Sequence, residues 1–572
     1  MFSLLFRKSP LFRTILYALI IFGALGVVSV VTKQVKKTPV IESISPAVGS
    51  AGDTMTITGS NFGKMRNNSY VELSGGRITA SGYVEWDDAK IKIIIPSNVQ
   101  DGLVNVVTSS GKSKPAFFAN ESGIPIEAPP DTVSSLPMIS SVSPASASVG
   151  SSVVITGMNF GSVRGNSLVY FTANREGNSS KNSSEELPSI AANEDEFDYE
   201  SWTDTEIRVR VPDGAASGTV FVKTDKGVSG NKKLDVKFSA GTKNYSSKKT
   251  YSIKLNEDVD SIASKNASSI TLRVPRPVVS SSQPEVELNE SSPEPLVANF
   301  NNTLIHQIEL QRADKNKGNA ENAQKFKFVQ NFVVTLYSVK TNIRAKDVKQ
   351  YDKNKILFKK FTSPDALVSC DDKDVVEFAK KIVGKEKNPY LQAKLVYDYF
   401  VQNCTLLMYQ REQTSSPKDL LKETKHGKKN AGDAYDFSVM YASVLRALKI
   451  PCVPVAGILV NSDMSSKNHW WNEFYIENFG WVPVDVSIAL GLEFSAFKEL
   501  SDTTAADFYF GNIENQHVAF SRGWNEIKQS LVNGKIVYRP KTFAFQSIWE
   551  ETSEGRVNYS SLWNNPIVTG IY

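Results

Sequence analysis

The chain has 572 residues, 41% hydrophobic and 22% charged, with 65 basic against 60 acidic side chains and a net charge of +5. That composition supplies core for several domains of about 100–200 residues each and excludes wholesale disorder. The charge is too mild and dispersed for a nucleic-acid partner, and only three cysteines occur, Cys370, Cys404 and Cys452, without CxxC spacing, which excludes a disulfide framework and a zinc motif.

Residues 15–31, ILYALIIFGALGVVSVV, form an uncharged apolar run behind Arg7, Lys8 and Arg13. Its length is about the minimum for spanning a bilayer. A cleaved signal peptide and an uncleaved anchor both fit. No A-x-A-like cleavage site stands out, and Lys33, Lys36 and Lys37 balance the basic residues ahead of the run, so flanking charge does not set the orientation. The soluble, extracellular-style modules downstream favour residues 1–38 as a cytoplasmic stub and membrane anchor, with the bulk of the chain outside the cytoplasm.

The chain then repeats itself. PVIESISPAVGSAGDTMTITGSNFG begins at Pro39 and PMISSVSPASASVGSSVVITGMNFG at Pro137. TMTITG and SVVITG alternate with period two, as half-buried strands do, and the closing G-x-N-F-G suits a turn needing positive φ. Each copy returns with a tryptophan-led strand, WDDAKIKIIIP from Trp86 and WTDTEIRVRVP from Trp202, followed by GLVNVVT and GTVFVKT. Short strands punctuated by turns at this spacing predict small β-sandwiches over residues 39–119 and 137–240, joined by a Pro-rich linker, 120–136. These residues resemble the IPT/TIG family of immunoglobulin-like domains, which implies a spacer or a binding module. The second copy carries an extra polar stretch, NREGNSSKNSSEELPSIAANEDEFDYE, which reads as a long, mobile, acidic loop.

Residues 248–345 hold strand-like runs punctuated by VPRP and SSPEP and predict a different β-domain. From residue 366 the pattern turns helical: DKDVVEFAKKIVG and PYLQAKLVYDYFVQNC both space their apolar residues by three and four. GDAYDFSVMYASVLRALKI is an amphipathic helix with Asp433 as N-cap and Asp436 in the first turn, which leaves Ala434 at the helix N-terminus. IPCVPVAGILV reads as a buried strand. HWWNEFYIENFGWVPVDVS reads as a hairpin turning at ENFG, whose antiparallel pairing would set His469 beside Asp485. His306, His426 and His517 have no partner that sequence identifies.

The pattern G-x-C-x-[DE]-[FY], R-A-L-x-I-P, H-x-W-x-E-x-Y and G-W-x-P-V-D resembles the transglutaminase-like superfamily, whose Cys, His and Asp form a papain-like triad. The resemblance covers about residues 248–540, including FYFGNIENQHVAFSRGWN, and implies an α+β transglutaminase-like domain over 366–540 with a C-terminal tail, 541–572. It places His469 and Asp485 on the triad and Ala434 where the nucleophilic cysteine belongs. Asp433, Asp436, Trp471, Glu473 and Trp481 would line the cleft. A methyl group cannot attack a carbonyl. The expectation is therefore a membrane-anchored, extracytoplasmic chain of two immunoglobulin-like sandwiches, a β-domain and a transglutaminase-like domain, acting as a binding or scaffolding pseudoenzyme on a protein or peptide ligand, such as a cell-wall or envelope component, without cofactor or metal. The alternative is a thiol peptidase or acyltransferase working through a displaced cysteine, Cys404 or Cys452.

Overall fold

A computed structural model describes residues 14, 37–78, 82–96, 99–120, 136–175, 188–261, 268–300, 302–314, 317, 323–410, 417, 420–421, 430–496, 500, 503–524, 541–545, 549–552 and 559–572. The apolar run at 15–31, most of the linker, residues 176–187 of the acidic stretch and His426 lie outside them. Among the described residues no helix is long and apolar enough to cross a membrane. The chain divides into two compact units: Met1–Val99 with Leu103–Phe118, and Gln100–Gly102 with Ala119–Tyr572.

The first unit is a sandwich. Val40–Ser45, Thr54–Ser60, Lys90–Ile94 and Tyr83–Trp86 form one sheet, and a second is built around Gly102–Thr108 and Tyr70–Leu73. The second module repeats the order with Met138–Ser143, Ser152–Met158, Glu206–Arg210 and Tyr199–Trp202. The repeated G-x-N-F-G is one turn used twice. Asn61 and Asn159 take φ of 62° and 63°, a left-handed conformation that asparagine tolerates, while Phe62 and Phe160 drop into the cores. The returning strands pin the turn: Asp88 and Asp204 accept from the backbone N–H of Gly63 and Gly161 at 2.9 Å.

Two expectations need correction. Part of the acidic stretch is built into the second module: Ser189–Ala191 pairs with Leu168–Ala173, and Glu194–Glu196 forms a 3-10 turn. Its Glu196 is buried because Arg522, far along the chain, donates to it at 2.6 Å. Residues 541–572 are not simply a tail. Trp549–Thr552 pairs with Ser268–Pro275, and Tyr559–Trp563 and Ile567–Ile571 both pair with Gly241–Ser261, so the β-domain is completed from the end of the chain. The C-terminal strands cover a sheet edge whose N–H and C=O groups would otherwise be unpaired.

The last domain holds α1 (Lys373–Val383), α2 (Pro389–Asn403), β1 (Cys404–Leu406), β2 (Asn430–Gly432), α3 (Ala434–Ala447), β3 (Cys452–Val460), β4 (Ser466–Ile476), β5 (Gly480–Val484) and β6 (His517–Arg522). The antiparallel sheet runs β5-β4-β3-β6. Every residue of β3 is buried, and α3 is buried from Ala434 to Leu445, so this helix is the axis of the domain rather than a surface amphipath.

The second module is welded to this domain. Lys243 donates to Asp213 at 2.7 Å and to the Trp481 carbonyl at 2.6 Å, and the Trp481 N–H donates to Asp213 at 3.0 Å. Arg522 joins Glu196 to Glu473, with its second contact to Glu473 at 2.7 Å, and lies over the Trp481 ring. Buried, fully paired charges fix geometry because leaving one partner alone is costly.

Candidate functional site

Asp433 and Asp436 close a capping box at the start of α3: the Asp436 N–H donates to Asp433 at 3.0 Å and the Asp433 N–H donates to Asp436 at 3.1 Å. Ala434 is the first helical residue. The following turn lies on β4. The Tyr435 ring meets Trp470 edge-on at 5.7 Å, Ser438 donates to the Trp471 carbonyl at 2.8 Å, and Asn472 donates to the Ser438 carbonyl at 2.9 Å.

His469 and Asp485 meet with His469 Nε2 and Asp485 Oδ2 2.5 Å apart. Asp485 ends β5, where its other oxygen accepts from Ser487 Oγ at 2.7 Å and from the Ile488 N–H at 3.0 Å. Both sides of the carboxylate are thus used. A second histidine joins the same oxygen: His517 Nε2 lies 3.1 Å from Asp485 Oδ2, and His517 Nδ1 bonds Glu514. Tyr509 in turn donates to Glu514 at 2.6 Å. Trp471 stacks on His469 and stands edge-on to His517. His469, Asp485, Glu514 and Tyr509 are at most 1% exposed.

Electrostatics assign the protons. Burial alone would raise the Asp485 carboxyl, but His469 and His517 outweigh it and hold it well below the usual carboxylate range. Burial works against charge on His517 too, yet Glu514 and Asp485 more than offset it and push this imidazole up to about 9. Burial depresses His469, and Asp485 only partly compensates. The consistent state is His517 as a cation between two carboxylates and His469 neutral. With its N–H on Nε2 facing Asp485, His469 carries its lone pair on Nδ1, which has no partner among the described residues.

The donor atoms of His469, Asp485 and His517 lie within 4.8 Å of one another, a set able to ligate a metal by type. As built it is a hydrogen-bond chain, since the 2.5 Å contact is shorter than the about 3.3 Å two ligands keep on one tetrahedral zinc.

Of the residues expected in the cleft, Trp471 packs on His469 and His517, while Asp433 and Asp436 sit at the cap of α3. Glu473 and Trp481 serve the junction with the second module, and Trp481 also lines a groove of about 600 Å3. That groove is walled by Glu196 of the second module, Asn302 of the β-domain, and Arg446, Arg522 and Phe545. Neither His517 nor Glu514 is assigned a role by the sequence pattern. The Glu-x-x-His spacing in ENQH was the available signal.

Comparison with known proteins places these domains. Residues 376–486 match the transglutaminase-like superfamily, and residues 39–120 and 137–240 match the IPT/TIG domain. The chain is therefore two immunoglobulin-like domains followed by a transglutaminase-like domain. An uncharacterized protein of Haemophilus influenzae is 28% identical over 174 residues, covering 26% of this chain and 46% of that protein. A cyclomaltodextrin glucanotransferase of Paenibacillus macerans is 29% identical over 85 residues, 15% of this chain and 12% of that enzyme. The chain thus spans less than half of the length of these curated relatives. Among solved structures, a protein of Cytophaga hutchinsonii described as a cysteine protease aligns at 14% identity over 57% of this chain and 93% of its own, with a TM-score of 0.35. The periplasmic domain of TgpA from Pseudomonas aeruginosa aligns at 15% identity over 42% and 73%, with a TM-score of 0.23.

Proposed function

We propose that this chain is a non-catalytic binding or scaffolding protein of the cell surface, built on a transglutaminase-like domain that keeps the histidine–aspartate pair of a thiol enzyme and lacks the nucleophile. The observations that carry the reading are the neutral His469, oriented through Nε2 by Asp485 with its Nδ1 lone pair unpartnered among the described residues, and the methyl of Ala434 at the first position of the helix. In a thiol enzyme that nitrogen takes the proton of the nucleophile. Here no proton is offered, so no acyl-enzyme forms. The ligand is a protein or peptide segment, such as a component of the cell envelope, seated in the groove that the second module, the β-domain and the last domain share. No nucleic acid is involved. The second module is part of this binding unit, because its buried ion pairs hold it in place as a groove wall.

Rescue by another cysteine has little support. Cys452 is fully buried in β3 and burial pushes its thiol far up, away from the thiolate that catalysis needs. Cys404 is buried at the start of β1. In the purified chain, iodoacetamide at neutral pH is expected to leave both thiols unmodified. Fast labelling of either one, lost in His469→Ala, would replace this reading with a thiol hydrolase or acyltransferase. The apolar run at 15–31 supports an anchored, extracytoplasmic placement. Protease added to intact cells should then degrade the chain beyond residue 38, and full protection contradicts that placement.

A further inference from the structure

The two carboxylates that cap α3 pose a charge problem. Asp433 is 3% exposed and Asp436 is fully buried, and they lie within one turn of each other. The capping N–H bonds and the helix dipole stabilise part of this negative charge. The remainder is met from far along the chain. Lys541 Nζ lies 2.6 Å from Asp433 Oδ2, 3.5 Å from Asp436 Oδ1 and 5.0 Å from the centre of the Tyr435 ring, and Lys541 is itself 8% exposed. Two carboxylates and an aromatic face around one point suit a compact ammonium.

Residues 541–545 are held there by more than the lysine. Gln410 Nε2 donates to the Lys541 carbonyl at 2.9 Å, and the Phe545 N–H donates to Ser521 Oγ at 2.9 Å. Phe543 packs edge-on to Phe520 at 5.0 Å, and Phe545 lies against Tyr435 at 6.0 Å. Ser521 and Phe545 also line the groove, so this short segment stands between the groove and the start of α3.

We propose that Asp433, Tyr435 and Asp436 form an ammonium-binding site and that the chain occupies it with its own Lys541, so that residues 541–545 act as a strap closing the N-terminus of α3. A ligand advancing along the groove meets the strap at Phe545, and the α3 end of the site opens only when Lys541 gives up its two carboxylates. The strap itself stands on the contacts of Lys541. What it closes off rests on the reading of Ala434 given above.

Hydrogen exchange on the full chain tests the strap without reference to Ala434. Lys541→Ala is expected to raise exchange of the Asp433–Phe437 amides more than ten-fold while β3 is unchanged. Added n-butylammonium should restore protection in the variant and do nothing to the parent chain. Lys541→Met, which keeps an unbranched apolar stem but removes the charge, serves the same comparison if the alanine variant does not fold. Unchanged exchange at α3, or no rescue by n-butylammonium, overturns the proposal. A second arm uses the thiol of Ala434→Cys, whose alkylation should accelerate at least five-fold when Lys541→Ala is added. If exchange rises but a thiol that is already reactive in Ala434→Cys gains nothing from Lys541→Ala, the segment does not close the site and the proposal falls. If the thiol is inert in both backgrounds while exchange and rescue behave as expected, the reading of Ala434 fails and the ammonium site stands.

Discussion

Replacing Ala434 with cysteine is expected to create a thiol that alkylates at about pH 6.5 some 50-fold faster than an ordinary one. Three features of the site produce the effect. The side chain is at the first position of a 14-residue helix, where the dipole and unpaired N–H groups favour an anion. On the proposed reading His469 faces this position, and its Nδ1 lone pair takes the thiol proton. Asp485 then stabilises the imidazolium, itself kept ionised by its two histidines. Lowering a thiol pKa from about 8.5 to about 6.5 raises the thiolate fraction at pH 6.5 from about 1% to about half, which sets the size of the expected change. Adding His469→Ala should return the rate to that of an ordinary thiol. The iodoacetamide time course of single and double variants reads this directly. An ordinary rate in Ala434→Cys would mean that His469 does not face the helix N-terminus.

The second large effect belongs to His517 and concerns stability. Its folded pKa of about 9 lies above the ordinary value of 6.5, so the folded state binds its proton more tightly than the unfolded chain does. The stabilisation is complete below about pH 6.5 and is lost as pH rises through 9, amounting to about 3 kcal/mol across that window. Urea unfolding of the parent chain should show this decline, and His517→Gln should flatten it. The partners explain why a buried cation is tolerated: Asp485 and Glu514 flank it, and Tyr509 fixes Glu514. A parent chain equally stable at pH 6.5 and 9 would show that His517 is neutral and that the proton assignment is wrong.

What the sequence revealed, and what it hid, follows from the reach of the interactions. The two sandwiches were legible because their signals are local. Alternation with period two marks the strands, and the left-handed asparagines with their aspartate clamps leave the same G-x-N-F-G and W-x-D signature twice. The cap of α3 and the β4–β5 hairpin were legible for the same reason, and the hairpin brings His469 to Asp485 over a span of 16 residues. Contacts of long reach left no such trace. Lys243 meets Trp481 across 238 positions and Arg522 meets Glu196 across 326, so nothing near either residue announces the docking of the second module. The acidic stretch looked like a solvated loop for that reason, since the cation that buries Glu196 lies in another domain. The strands at the chain's end are short and take their meaning from a sheet edge formed some 300 residues earlier. Lys541 is equally unreadable: a lone lysine after an unpatterned segment says nothing about two carboxylates on a helix cap.

The central claim is that Ala434 stands where a nucleophile would face His469. It is tested most directly by magnetic resonance on chain carrying labelled alanine methyls and labelled imidazole nitrogens. The account predicts a through-space contact between the Ala434 methyl and the His469 ring, together with a His469 that at pH 7 is protonated on Nε2 and bare on Nδ1. A methyl with no contact to that ring, or a His469 carrying its proton on Nδ1, would contradict it.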